Sequence, residues 1–237
     1  MSENIKKITK AFKVDLDSRE NQNIILKPSA RPFNNQAYQV NEVPKKIVEK
    51  IYKLIKDAKH PNDDIILNHN KIKEAFFNPF KPQLKDAQVF LSHSHADKNK
   101  ALKVKNYLES ETNHRVFIDS LFWDYKDDVL NELEKYDDTS KIEDAFTLIL
   151  RESLQNMIEK CPYFVFLQSN NSVSFSQDLS CITYSAWIYE ELKIAHSIRE
   201  GRPTPMMESW QVSHNISPFL ESLETITLKK LSHIINP

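Results

Sequence analysis

Gly201 is the only glycine in this chain of 237 residues. That scarcity removes whole classes of site. Loops of the G-x-x-x-x-G-K and G-x-G-x-x-G kinds need glycine where the backbone closes on a phosphate, so neither nucleotide-binding fingerprint is available. The common zinc signatures are missing too: there is no H-E-x-x-H and no C-x-x-C pair. Two cysteines, Cys161 and Cys181, set up no disulfide framework. Lys and Arg number 32 against 33 Asp and Glu, so no global field draws nucleic acid or an anionic membrane. No apolar run approaches the ~20 residues that span a bilayer. Residues 1–13 are polar and basic, without the apolar centre of a secretion signal. The expectation is a cytoplasmic protein with neither a membrane nor a nucleic-acid partner.

Residues 1–43 read as polar and irregular, with Ile24-Ile25-Leu26 as a short strand or an anchor. Residues 44–58 have an amphipathic period: Ile47, Val48, Ile51, Leu54, Ile55 and Ala58 share one face, opposite a solvated lysine face. A shorter helix over 70–77 and a linker over 79–85 follow. This predicts an N-terminal helical extension, 1–85, ahead of a main domain, 86–237.

From Ala87 the pattern alternates. Residues 87–91 (Ala-Gln-Val-Phe-Leu), 115–118 (Arg-Val-Phe-Ile) and 163–167 (Tyr-Phe-Val-Phe-Leu) read as strands, the last apolar enough to be covered on both faces. Ser94 and Asp97 have capping-box spacing and predict a helix through Ser110. Ser140 and Glu143 open a second box and a helix to Lys160, with Pro162 beyond it. A polar loop over 168–182 leads to a helix over 184–198. Weaker signals place a strand at Met206-Met207, a short helix over 218–223 and a last strand over 225–228. Strand and helix in alternation imply an α/β fold, a parallel sheet with helices on both faces. In such sheets ligands bind beyond the carboxyl ends of the strands. Residues 92–97, 119–124 and the entry to the 184–198 helix lie there.

That last helix carries an anomaly. Trp187, Ile188, Leu192, Ile194, Ala195 and Ile198 form its apolar arc, and Glu191 falls inside the arc, while Glu190 sits nearer the polar side. A carboxylate on an apolar face is costly to bury unless it is paired, hydrogen-bonded or protonated. Taken alone, Glu191 reads first as a helix carboxylate paired with a neighbouring Lys or Arg. Trp187 reads equally as core or as a wall of the site. His93-Ser94-His95-Ala96-Asp97 invites a comparison with the H-x-H-x-D-H zinc motif, but Lys98 stands where the last histidine belongs, and no metal is assigned.

Three stretches together resemble a Toll/interleukin-1 receptor (TIR) domain of bacterial type. Val89-Phe90-Leu91-Ser92-His93-Ser94 is similar to the family's first strand and its hydroxyl-rich exit. Val116-Phe117-Ile118-Asp119 is similar to the second strand and the start of the BB loop. Ser185-Ala186-Trp187, with Glu191 and Leu192, is similar to the S-x-W-x-x-x-E-L helix. The resemblance runs from Ala87 to the C-terminus and implies a flavodoxin-like sheet. It also implies cleavage of NAD⁺ at the nicotinamide–ribose bond, with Glu191 catalytic. Ser92, His93, Ser94, Asp119, Phe122, Trp123, Ser185 and Trp187 would contact substrate. NAD⁺ is then the substrate, and no cofactor is implied. The short form, without a fused effector, resembles the TIR component of Thoeris-like antiphage defence, which makes a nucleotide signal for a separate effector. Self-association through TIR surfaces is the family's other mode of action, and a scaffold working only by assembly through 119–138 is the alternative. The proline often found in the BB loop is missing here, against an adaptor role.

Overall fold

The computed structural model describes residues 10–27, 45–57, 68–135, 143–200 and 213–236. In chain order these form β1 (Lys10–Asp15), α1 (Arg19–Ile25), α2 (Lys45–Asp57), α3 (His69–Phe77), α4 (Lys81–Leu84) and β2 (Ala87–Ser92). Then come α5 (Lys98–Glu111), β3 (Arg115–Ile118), α6 (Ser120–Glu134), α7 (Glu143–Lys160) and β4 (Tyr163–Gln168). The chain continues with β5 (Ser174–Phe175), β6 (Cys181–Thr183), α8 (Ala186–Glu200), β7 (His214–Asn215), α9 (Ser217–Glu221), β8 (Glu224–Thr225) and α10 (Leu228–Ile235). Single 3₁₀ turns precede α4 and α5. The expected strand at Met206-Met207 and the expected cap Ser140 lie outside the described residues.

Two compact units result. One takes in Met1–Pro32, Gln83–Ser120 and Gln155–Pro237, the other Phe33–Pro82 and Leu121–Leu154. Residues from both sides of position 85 therefore contribute to each unit. The first unit holds a five-stranded parallel sheet ordered β3-β2-β4-β1-β8. Its centre is aromatic. Phe90 lies in register with Phe117 on one side and Phe164 on the other, and the rings stack at 5.7 and 5.9 Å. Each such buried ring contributes about 1.5–3 kcal/mol. Along β2 and β4 the apolar side chains of both faces are buried, as the continuous apolar runs predict. Helices α1, α5 and α10 pack against one another, and Ala101, Val104 and Leu108 of α5 point inward as their spacing requires.

The largest departure from expectation is β1. Residues 10–15 belong to a stretch read as irregular, yet they pair with β4 over their whole length and with β8 at Phe12 and Lys13. Ala11, Phe12 and Val14 are buried. Ile24 and Ile25 end helix α1 rather than forming a strand. Four more segments differ. The expected linker 79–85 is a 3₁₀ turn and helix α4, and the stretch 119–124 is no loop, because α6 begins at Ser120. The polar loop 168–182 contains β5 and β6, which with β7 make a small antiparallel sheet. The last strand is the two-residue β8, and Leu228 opens α10.

In the second unit α2 packs on α3, burying Val48, Ile51 and Ile55 and leaving Lys50, Lys53 and Lys56 exposed. Asn68 caps α3 by accepting from the Lys71 N–H at 3.1 Å. Glu152 of α7 takes both Lys73, at 2.6 Å, and His69, at 3.0 Å.

Candidate functional site at the carboxyl edge of the sheet

Glu191 reaches its position through a short chain of local causes. Strand β6 ends at Thr183, whose Oγ1 accepts from the Ser185 N–H at 3.2 Å. Ser185 Oγ in turn accepts from the Ile188 N–H at 3.3 Å, a cap that starts α8. Two turns of helix then bury Ile188 and Leu192, and Glu191 between them is 0 % exposed. Ser92 is the last residue of β2 and shares the face of Phe90 by the two-residue period of a strand. Its Oγ donates to Glu191 Oε2 at 2.6 Å. The exit of the first apolar strand and the acid of the last long helix thus meet in the buried interior, 99 residues apart in sequence.

Glu190 is not on a solvated face. It is buried, with Lys193 Nζ 3.6 Å away, and that lysine lies over the Tyr189 ring at 5.3 Å. Tyr189 stacks on His214 of β7 at 4.5 Å and packs on Phe219 of α9. The polar side of α8 is covered by these two later elements, which helical periodicity alone does not anticipate.

Asp119 follows β3, and its N–H continues the ladder by donating to the Leu91 carbonyl at 3.1 Å. Both of its carboxylate oxygens are engaged. Oδ1 accepts from the Ser120 N–H at 2.7 Å, and Oδ2 accepts from the His93 N–H at 3.2 Å. His93 Nδ1 lies against Oδ1 within ion-pair distance, though without the alignment of a good hydrogen bond. Asp119 therefore ties the exit of β2 to the exit of β3 and is not a free wall of a cleft.

Ser94 is half-buried and precedes the 3₁₀ turn, and its side chain makes no capping bond. The expected capping box with Asp97 does not form, because Asp97 is drawn elsewhere. Its carboxylate accepts from Ser169 Oγ at 2.5 Å, Asn171 Nδ2 at 3.0 Å and Lys100 Nζ at 3.2 Å. Burial alone would raise this carboxyl, but those bonds and the Lys100 charge hold it below its usual value. Lys100 also reaches Asp17 at 3.3 Å, and Asp17 accepts from the Asn170 N–H at 3.0 Å. The sequence reading missed Ser169 and Ser120. Only their places just after β4 and β3 could have signalled them.

Of the expected site residues, Ser92 and Glu191 are in direct contact, and His93 with Asp119 forms the adjacent pair. Ser185 serves as a helix cap, and Trp187 is half-buried in the first turn of α8. Phe122 and Trp123 are helical residues of α6 whose side chains lie outside the described residues. Among the described residues no group of His, Cys, Asp and Glu could hold a metal ion, and no helix is long and apolar enough to cross a membrane. No protein-family profile, curated protein or solved structure matches the chain.

Proposed function

We propose that this chain is a TIR-type NAD⁺-cleaving enzyme with Glu191 as its catalytic carboxylate. The observation that carries the reading is the 2.6 Å bond from Ser92 to a fully buried Glu191. It joins two of the three stretches on which the family resemblance rests. The parallel order β3-β2-β4 also agrees with the opening 2-1-3 order of a flavodoxin-like sheet, although β1 then fills the next place.

The chemistry suits a single carboxylate. Breaking the nicotinamide–ribose bond releases a neutral leaving group and leaves an oxocarbenium-like sugar. Glu191 stabilises that charge from a buried position, where electrostatic stabilisation is strongest, and water or a sugar hydroxyl then captures C1′. Ser92 holds the carboxylate until ribose hydroxyls replace it. The product is ADP-ribose or a cyclic relative, which a separate effector reads in antiphage immunity within the cytoplasm.

The test is chromatographic and mass analysis of NAD⁺ incubated with concentrated protein. Wild type is expected to release nicotinamide, and Glu191→Gln to lose release by about 1,000-fold while keeping its melting temperature. A folded Glu191→Gln protein with undiminished release sinks the assignment. A second reading, a scaffold acting only by homotypic assembly, draws on the exposed Phe175, Leu179 and Tyr184 around the β5–β6 hairpin. The same products decide between the two.

A further inference from the structure

Asp119 holds the main chain on both sides of Ser92. Its N–H donates to the Leu91 carbonyl at 3.1 Å, and its Oδ2 accepts from the His93 N–H at 3.2 Å. The register accounts for this grip. Leu91 pairs with Ile118, so the next residues, Ser92 and Asp119, stand opposite each other. In a parallel ladder a residue's N–H and C=O bind the groups that flank its opposite number. Asp119 makes the first of those bonds in the ordinary way. For the second, its carboxylate stands in for its carbonyl, at the point where the chain turns into α6.

The carboxylate is itself fixed, because the Ser120 N–H donates to Oδ1 at 2.7 Å and the His93 ring lies against the same oxygen. On the other edge of β2, Ser92 pairs with Phe166 of β4. Ser92 is the last residue of its strand, a place where strands ordinarily fray, yet it is held from both sides. On a fixed backbone a serine hydroxyl has three staggered positions, and here it points to Glu191 Oε2 at 2.6 Å. The place of that backbone therefore decides where the hydroxyl, and the carboxylate bonded to it, is aimed. A misplacement of about 1 Å at a reacting group can cost about 100-fold in rate.

We propose that Asp119 is a positioning residue for the NAD⁺-cleaving site, acting through Ser92 on Glu191. The proposal rests on the reading of Glu191 as the catalytic carboxylate. Asp119 fixes the strand exit from which Ser92 aims Glu191 at the ribose. This role differs from the substrate contact that the family resemblance implies for Asp119, since the chain itself takes up both carboxylate oxygens. The aim of Glu191 matters most where positive charge develops, so a loosened strand exit is felt in kcat rather than in KM.

The test is a double-mutant cycle on nicotinamide release from NAD⁺ by the full chain. Asp119→Asn keeps the shape but puts an amide nitrogen against one of the two N–H donors, and Asp119→Ala removes both acceptors. Each is made in wild type and in Ser92→Ala. Ser92→Ala is expected to lower kcat by about 10- to 100-fold, the worth of a hydrogen bond to a charged group. Asp119→Asn and Asp119→Ala should lower kcat by about 10-fold or more, with KM changed less than about twofold. In the Ser92→Ala background the same substitutions should cost less than about twofold further, because the residue they act through is gone. A full-sized loss in that background overturns the proposal, since Asp119 would then act on the reaction by another route. Wild-type rates in Ser92→Ala or in the folded Asp119 variants overturn it as well. So does loss of cooperative melting in both Asp119 variants, which would assign the residue to the fold. Wild type that releases no nicotinamide removes the reading of Glu191 and the positioning role with it. Active wild type with multiplying losses removes the positioning role alone.

Discussion

Tyr125 is fully buried between edge-on Phe76 and Phe80, at 5.2 and 5.0 Å, and its hydroxyl has no partner among the described residues. Burial pushes its ionisation well above the usual range, so it is a neutral but unsatisfied group. Tyr125→Phe is expected to raise the unfolding free energy by about 1 kcal/mol, read as a higher urea midpoint; a lower one would reveal a hidden partner. Asp97 is the opposite case, a buried acid with three donors. Its carboxyl is lowered in the folded chain, so its contribution is present above the unfolded value of about 3.9 and is lost as pH falls through the folded value. Asp97→Asn should therefore be less stable than wild type at pH 7, and the two melting temperatures should converge in acid, once pH has fallen below the lowered folded value. A constant gap across that range would assign the loss to packing.

The elements divide by how much of their cause is local. Strands β2, β3 and β4 are apolar runs, and α2, α3, α5, α7 and α8 keep one apolar period over several turns, so the sequence announces them. Strand β1 does not: Lys10, Lys13 and Asp15 dilute Ala11, Phe12 and Val14, and only the neighbours β4 and β8 make the segment a strand. Phe12→Ala is expected to cost about 3–5 kcal/mol in chemical denaturation, the loss of a large core side chain. A cost below about 1 kcal/mol would show the segment to be only loosely held in the sheet. The start of α6 was hidden because Asp119 and the aromatic pair Phe122-Trp123 look like a binding loop, whereas Asp119 is bound to the backbone at the mouths of two strands. The carboxyl-edge rule brought the exit of β2 and the entry of α8 together, but nothing in the local sequence of Ser92 and Glu191 showed their contact. Among the described residues the scarcity of glycine has one visible effect: the left-handed position in the β5–β6 turn falls to Leu179, at φ 63°. For a residue with a Cβ that conformation costs about 1–2 kcal/mol.

Across the whole molecule, the ends of the sequence are sewn into the middle. The Asn170 N–H reaches Asp17 across 153 residues, and the Leu228 N–H reaches Asn21 across 207. Asn21 also donates to the Asp15 carbonyl at 2.7 Å, so one buried amide binds the exit of β1 to the start of α10. This long-range stitching sets a timetable. Strand β1 leaves the ribosome before β4 and β8, the strands that flank it, and its place between them exists only once both have followed. Long-range parallel pairing of this kind is slow to form. Phe12 and Val14 therefore wait in water until β4 has followed, and the far side of β1 is covered only after β8.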